Sequence, residues 1–545
     1  CPSCGQTWCV TSPVSSRPSD CAWGAFDDVA PWVLDPNNIS WEKQAIELRV
    51  SAQREVPVLT TPTRIPPVAR LVVVVWVLSK ALVPWFVKKK LRPFATPEDS
   101  RAYISLRMRK AVERLGSTYI KLGQIISSGE GLFPAELVNE FKLCRDQVPA
   151  IPFESVKKTI ESELGKPLTE VFSYIDTTAL AAASIAQVHL ATLITGEEVV
   201  VKVQRPTVSK MVRKDLRVMA WLAPHLVGRI KVSALANPPA LVELFAETIV
   251  EELDFRIEAS NMLDVAKMLC ELNQDRYIIP RPHPTLATQR VLVMQRLSGF
   301  KFDDVVGMKN AGIDTHSVIR TGMIAFMEGA MIYGVFHGDL HGGNLFVMPD
   351  GRTALLDFGI VGRLSGARRM AFLRLMLNAT TNNVVGQVEA LRDLGALPMD
   401  TDIHAVIKDL NLGDAAIDPT SLSGEELVQE VQRIVKALMG YGARMPKELM
   451  LYVKNMVFLD GAIARLAPEL DILGEITAIS MLFAERHGER LGRELGVDHT
   501  AIEINLDSVK TGVLGVDASV NSLTYRDLQE RRELIQKRMR DHVGR

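Results

Sequence analysis

The sequence predicts an α+β chain in two lobes, a small sheet-containing lobe followed by a helical one, with a helical extension ahead of both. Three observations carry this. Over residues 97–145 apolar side chains recur at helical spacing, with Ile104, Met108, Val112, Leu115, Tyr119 and Leu122 three or four apart. The period then changes, and residues 171–206 read as three short strands. Two of these, Ile185–Leu193 and Glu197–Gln204, are joined by a turn at Thr195-Gly196. Helical spacing returns from 313, interrupted by two loop-rich windows, "VFHGDLHGGNLFV" at 335–347 and "LLDFGIVG" at 355–362.

The composition narrows the class. At 545 residues the chain exceeds one ordinary domain, so two or three units are expected. Lys and Arg total 63 against 64 Asp and Glu, a net charge of −1 that gives no basis for a nucleic-acid partner. The hydrophobic share of 47% is that of a globular protein with a large core. Six cysteines do not make a disulfide framework, and a reducing cytoplasm suits them. Cys1, Cys4, Cys9 and Cys21 crowd the start, where Cys1 and Cys4 have half of a zinc spacing without a second half. No cleavable signal peptide is expected.

Each unit has its own signals. Residues 1–67, rich in Pro and Ser, read as a poorly ordered extension. Residues 68–96 are apolar, then basic: Leu71–Val87 is interrupted by Lys80 and Pro84 and followed by Lys88-Lys89-Lys90. A bilayer span wants about 20 apolar residues. A helix lying on an anionic membrane surface fits better, and a buried helix with a basic turn stands equally open. Residues 97–170 form the helical extension, starting at Thr96-Pro97-Glu98. Residues 171–300 are the small lobe, with long helical stretches at 207–228 and 238–272 and a strand at 290–299. Residues 301–495 are the helical lobe, and 496–545 a tail ending in the charged amphipathic helix "LTYRDLQERRELIQKRMRDHVGR". A small sheet with one long helix, followed by a helical lobe, is the layout of a protein-kinase-like fold.

The two loop windows then acquire a chemistry. Phosphoryl transfer needs hard oxygen ligands for Mg²⁺ and an aspartate beside the attacking group. Asp339 and Asn344 have the D-x-x-x-x-N spacing of a kinase catalytic loop, and Asp357-Phe358-Gly359 follows. Between them, Leu345–Val347 and Thr353–Leu356 form a hairpin around Pro349-Asp350-Gly351, which returns Asp357 to Asn344 so that both can share a metal. Upstream, Val199-Val200-Val201-Lys202 is a strand ending in a lysine placed to grip phosphates. Glu258 is its natural ion-pair partner, and phosphate binding gives such a buried pair a reason to exist, since desolvation offsets most of the attraction. His337 reads as a structural residue orienting the loop, with His341 a weaker candidate. Where a kinase places a glycine-rich loop, this chain has Ala181-Ala182-Ala183-Ser184, which cannot take a positive φ cheaply.

Four segments, "AAASIAQVH", "VVVKVQRP", "EELDFRIEA" and "YIKLGQ", together resemble the UbiB/AarF family of atypical kinases, and 445–472 is similar to that family's C-terminal helices. The resemblance covers roughly residues 97–485. It implies that Lys121, Gly123 and Gln124 form a K-x-G-Q signature on a helix folded over the active site, where a protein substrate would otherwise bind. It implies that Glu252 and Asp254 form an E-x-D motif meeting that helix. It gives Glu258 and Lys202 the ion pair, Asp339 the catalytic loop and Asn344 and Asp357 the metal, with the alanine loop over the nucleotide. The implied cofactors are ATP (or ADP) and Mg²⁺. The implied activity is that of an ATPase or phosphotransferase supporting isoprenoid quinone or lipid metabolism, cytoplasmic and peripheral at the inner face of a membrane.

Two departures keep alternatives open. The family loop usually reads H-A-D-P-H-P-G-N, whereas His337-Gly338-Asp339 also resembles choline and aminoglycoside kinases, so a small-molecule kinase is one alternative. A non-catalytic nucleotide-binding scaffold is another, against which the intact Lys202, Glu258, Asp339, Asn344 and Asp357 argue. Many relatives end in paired membrane helices, whereas this tail is charged, which leaves 70–93 as the membrane contact. No long activation loop or A-P-E follows Gly359, so phosphorylation of proteins in trans is not expected.

Overall fold

The computed structural model of the chain describes residues 39–92, 94–127, 134–144, 149–227, 237–380, 383–410, 440–496 and 522–543, with Phe26, Trp32, Leu34 and Leu438. Cys1, Cys4, Cys9 and Cys21, and most of the tail before residue 522, lie outside the described residues.

The N-terminal part is helical: α1 (Glu42–Thr60), α2 (Val68–Leu91), α3 (Pro97–Leu115), α4 (Ser117–Ser127), α5 (Ala135–Lys142) and α6 (Phe153–Leu164). Two expectations change here. The last part of the supposed loose extension is α1, whose Ala45, Ala52, Val56 and Leu59 are buried on one face. Its low hydrophobicity and Pro57 hide that face from a periodicity search. The second change is a break in the 97–145 stretch. Thr96 caps α3, accepting the Asp99 N–H at 3.1 Å, but Gly116 at φ +97° ends that helix. The apolar spacing runs on across the turn because Val112, Leu115, Tyr119 and Ile120 enter one core.

The small lobe follows: β1 (Phe172–Ile175), β2 (Ala181–Ala182), β3 (Ala186–Leu193), β4 (Glu198–Gln204), α7 (Val208–Leu226), α8 (Pro238–Glu251), α9 (Phe255–Glu271), β5 (Tyr277–Ile278), β6 (Pro282–Ala287) and β7 (Val291–Gln295). The antiparallel sheet runs β1-β3-β4-β7-β6, with β2 on β3. Alternation decides its faces: Val199, Val201 and Val203 pack with Val291 and Val293 against Val156 and Ile160 of α6. Lys202 therefore projects from the other face, toward α9. The expected helical stretch 238–272 is two helices, because Asp254 turns extended (φ −137°, ψ 108°) and caps α9 by accepting the Arg256 N–H.

The helical lobe contains β8 (Phe300–Lys301), α10 (Val305–Asn310), α11 (Thr315–Glu328), β9 (Val335–His337), β10 (Leu345–Val347), β11 (Thr353–Leu355), β12 (Val361–Arg363), α12 (Gly366–Thr380), α13 (Val384–Asp393), α14 (Ile403–Asp409), α15 (Lys447–Leu466), α16 (Ile472–Leu495) and α17 (Tyr525–Val543). A four-stranded sheet of order β5-β11-β10-β8 and the pair β9–β12 support its loops. Since β5 joins this sheet, the lobes interlock across the boundary drawn at residue 300. The fold is a bilobal α+β kinase-like one.

The apolar helix α2 divides its faces. Val74, Val77 and Ala81 are buried, while Val72, Val75, Trp76, Val83, Phe86 and Val87 are exposed. At 24 residues it is long and apolar enough to cross a membrane. Its start is anchored by Arg70, whose Nε lies 2.5 Å from Asp215 Oδ1 on α7 and whose Nη2 donates to the Leu115 carbonyl at 2.7 Å. Asp215 is fully buried, and that guanidinium is the charge that offsets its desolvation, beside the Thr118 hydroxyl. Arg70→Leu should destabilise the chain by about 3–5 kcal/mol in urea unfolding. The double variant Arg70→Leu/Asp215→Leu should recover most of that loss; equal losses in both would overturn this account.

Candidate active site

The catalytic-loop window is held by its strand partners. β9 pairs with β12, the Gly338 N–H donates to the Ile360 carbonyl at 2.9 Å, and β10 and β11 pair with Leu345 opposite Leu355. The Leu356 N–H donates to the Asn344 carbonyl at 3.0 Å, which brings the end of β11 back to the loop. His337 sits buried between the two windows. Its Nδ1 accepts the Asp339 N–H at 3.1 Å, so its Nε2 carries the proton it donates to the Asp357 carbonyl. Burial lowers its pKa, in keeping with a neutral ring that orients both loops. His341 plays a smaller local part, accepting the Gly343 N–H at 3.1 Å.

Gly338 explains why this chain departs from the H-A-D form. A Cβ there would lie 2.8 Å from Ile360 Cγ2 and 3.0 Å from the Ile360 carbonyl oxygen. A β-branched side chain cannot easily turn away. Local packing against Ile360 accounts for this glycine without any reference to substrate.

Two largely enclosed lysines, Lys202 and Lys121, organise the charges. Lys202 Nζ lies 2.7 Å from Glu258 Oε1 on α9 and 3.0 Å from Asp357 Oδ2. Burial would lower the lysine's pKa, but the two carboxylates outweigh it and hold it above its ordinary value. For Asp357 burial acts upward; Lys202, the Gly359 N–H at 2.9 Å and Lys121 outweigh it and bring it to about 2. The Asp357 side chain is 40% exposed against 5% for Glu258, so Asp357 faces the cleft and Glu258 the interior. Burial raises the pKa of Glu258, with Lys202 opposing, whereas Asp357 is held low.

The second lysine is Lys121 of α4. Its Nζ lies 3.0 Å from Glu252 Oε1 and 3.8 Å from Asp339 Oδ2. Asp339 also pairs with Lys454 on α15. Burial pushes the Asp339 carboxyl up, but Lys454, Lys121 and His341 outweigh it and hold it well below the usual carboxylate range. Burial also pushes Glu252 up, and here it prevails, to about 7, with Lys121 opposing.

The remaining predicted residues are less alike. Gly123 is buried, and a Cβ there would touch Cys144, Val112 and Phe141 at 3.5–3.7 Å, so it serves the packing of α4. The carbonyl of Gln124 accepts the Ser127 hydroxyl at 2.7 Å. The E-x-D pair separates: Glu252 reaches α4, whereas Asp254 caps α9 and pairs with Arg256 at 2.7 Å, because the turn that breaks the helix points it away. Ala181 and Ala182 form β2, in register with Val188 and Gln187, and Val188 is in turn opposite Lys202. The alanine stretch thus lies two strands from the lysine. Ser184 is buried beneath it, and Arg205 Nε donates to the Ala183 carbonyl at 3.0 Å. Asn344 is also buried, with its amide nitrogen on the Asp339 carbonyl at 3.1 Å.

Sequence reasoning missed Lys454 and Asn455. Asn455, fully buried, accepts the Leu340 N–H at 3.0 Å and donates to the His337 carbonyl, so α15 carries the back of the loop. The signal was present: a Lys-Asn pair inside the apolar run "LMLYVKNMVFLDGAIARL".

Fold and charge constellation together define a protein-kinase-like protein whose cleft is covered by an added helix. Residues 143–391 match the ABC1 atypical kinase-like domain. The chain is 32% identical over 400 residues to an uncharacterized chloroplastic aarF domain-containing protein kinase of Arabidopsis thaliana, spanning 68% of this chain and 73% of that one. It is 34% identical over 366 residues to an uncharacterized protein of Mycobacterium tuberculosis, spanning 66% and 74%. Against the "Probable protein kinase UbiB" of Marinobacter nauticus it is 30% identical over 396 residues, spanning 72% and 70%. The chain belongs to the ABC1/aarF family of atypical kinase-like proteins.

Glu252 gives a pH test. Its folded-state pKa of about 7 stands above the ordinary 4.5, so between these values the folded chain keeps a proton that the unfolded chain has released. Its contribution to stability is full below 4.5 and is lost as pH rises through 7. The stability difference between wild type and Glu252→Gln, from urea unfolding, should therefore shift against wild type by on the order of 3 kcal/mol across that window. A pH-independent difference would overturn the assignment.

Proposed function

We propose that this chain is an ATP-binding, Mg²⁺-dependent ATPase or phosphotransferase, acting at a membrane in support of isoprenoid quinone or lipid metabolism. The single observation that carries the reading is the Glu258–Lys202–Asp357 triad, with an ion pair of 2.7 Å on the buried side and the exposed carboxylate 3.0 Å from the same ammonium. An ammonium between two carboxylates suits a site where a polyphosphate competes for it. The ionised Asp357 and the amide oxygen of Asn344 are hard donors that suit a divalent cation. When bound, that cation would neutralise charge on the β- and γ-phosphates.

The chain's own residues would then divide the work. Lys202 holds the phosphates, and Glu258 keeps that lysine aimed into the cleft. Ala181–Ser184 cover the nucleotide from the sheet side. Asp339, ionised and flanked by Lys454 and Lys121, orients the attacking oxygen; with so low a pKa it positions rather than stores a proton. Lys121, Gly123 and Gln124 keep α4 across the cleft, with Lys121 on Glu252. This cover occupies the space a peptide would need, which favours water or a lipid-like acceptor over a protein. The exposed apolar face of α2, with Lys88, Lys89 and Lys90 in its last turn, fits an anionic membrane surface. That contact accords with a cytoplasmic protein peripheral at the inner membrane face. The relatives named UbiB support the quinone-pathway reading.

Hydrolysis of Mg·ATP by the purified chain, with and without anionic liposomes, tests this directly. Turnover is expected, raised by liposomes and lowered by about 100-fold or more in Asp357→Asn, a loss in the range seen when a charge-stabilising group is removed. Turnover unaffected by Asp357→Asn would remove the assignment. Binding without turnover in any condition would favour the nucleotide-binding scaffold.

A further inference from the structure

The helix α1 lies before the matched residues 143–391 and contributes nothing to the cleft, yet it packs along α7, α8 and α9. At its middle, Arg49 Nη2 donates to three side chains of α9: Ser260 Oγ at 2.8 Å, Asn261 Oδ1 at 2.9 Å and Asp264 Oδ2 at 3.0 Å. From the other side, Arg363 of β12 donates to the same Asn261 Oδ1 at 2.8 Å and the same Asp264 Oδ2 at 2.6 Å. The amide nitrogen of buried Asn261 donates to the Phe358 carbonyl at 2.8 Å. One side chain thus joins α9 to the Asp-Phe-Gly turn.

Asn261 stands three residues after Glu258, a neighbouring position along the same helix. Whatever fixes the rotation of α9 at Asn261 also fixes where Glu258 points. The Lys–Glu pair and the Asp-Phe-Gly aspartate must both be in place in a kinase-type site, and both hang on this junction. The convergence of two guanidiniums on Asp264 opposes itself: burial and the Arg363 charge lower the pKa of Arg49. A second contact, from Arg256 Nη1 to Gln44 Oε1 at 2.7 Å, ties the start of α9 to α1.

We infer that Arg49 is a positioning residue: from α1 it holds α9 in the rotation that presents Glu258 to Lys202 and, through Asn261, couples that setting to the turn carrying Asp357. The helix ahead of the kinase-like body thereby sets the affinity of a nucleotide site it does not touch. The inference rests on the nucleotide-binding reading above.

The test compares Mg·ATP affinity by calorimetry, and amide hydrogen exchange over residues 255–271, in the full chain and its variants. Arg49→Ala should weaken Mg·ATP by roughly three- to thirtyfold and speed exchange in α9, and Arg49→Lys should recover part of both. Glu55 pairs with Arg213 of α7 at 2.5 Å, so Glu55→Gln loosens α1 without touching α9 and should leave both readouts within about twofold of wild type. In a Glu258→Gln background, Arg49→Ala should weaken binding by less than about twofold, since the group it positions is gone. Three results would overturn the inference: wild-type affinity and exchange in Arg49→Ala, a full additive loss in the Glu258→Gln background, or an equal loss from Glu55→Gln. If the wild-type chain binds no Mg·ATP, the nucleotide reading itself fails. Exchange in α9 then still decides: faster in Arg49→Ala supports the positioning role, unchanged overturns it.

Discussion

The structure depends on keeping two ammonium groups out of bulk water while each is matched by carboxylates from different elements. Lys202 comes from β4, Glu258 from α9 and Asp357 from the loop after β11; Lys121 comes from α4, Glu252 from the end of α8 and Asp339 from the loop after β9. Burying any of these charges alone would be strongly unfavourable, and only simultaneous placement offsets the desolvation. The break between α8 and α9, the cap at Asp254 and the β9–β12 pair are the local devices that make the placement possible. Hydrophobic burial holds the lobes as bodies, but charge matching fixes how they face one another at the cleft.

The uneven depth of the two groups matters chemically. Asp357 opens to the cleft and is ionised; Glu258 lies behind Lys202. Burial raises Glu252 to about 7, whereas the lysines around Asp339 hold it well below the usual carboxylate range. Carboxylates on neighbouring elements are thus driven apart in acidity by their surroundings, which lets otherwise similar groups take different tasks.

Much of this was legible from residue order. The strand Glu197–Gln204, the hairpin between Asn344 and Asp357 and the turn at Gly196 follow from alternation and turn chemistry, and the structure has them within a residue or so; Lys202 is not the end of its strand, which runs on to Gln204. Breaks inside apolar helical runs were not legible. Spacing continues across Gly116 because α3 and α4 serve the same core, and across Leu253 because α8 and α9 are both heavily buried, in two different cores, so the pattern carries no mark of either change in direction. For the same reason the separation of Asp254 from Glu252 could not be read: two residues apart in sequence, they diverge only because the backbone leaves the helix between them. Lys454 and Asn455 lay 115 or more residues from the groups they hold, and no local rule links such distant positions. The helix α1 escaped notice because its buried face, Ala45, Ala52, Val56 and Leu59, is sparse and set among charged residues.

Gly338 and Ile360 meet as two ends of one hydrogen-bonded corner, with the isoleucine methyl filling the space a side chain at 338 would need. The two positions are therefore sterically coupled in this chain. Alanine at 338 would press on Ile360, and would need a smaller or differently turned residue there or a displaced strand pair. In this chain the glycine is a packing choice set by a residue 22 positions downstream, and that one letter carries no information about what the loop acts on.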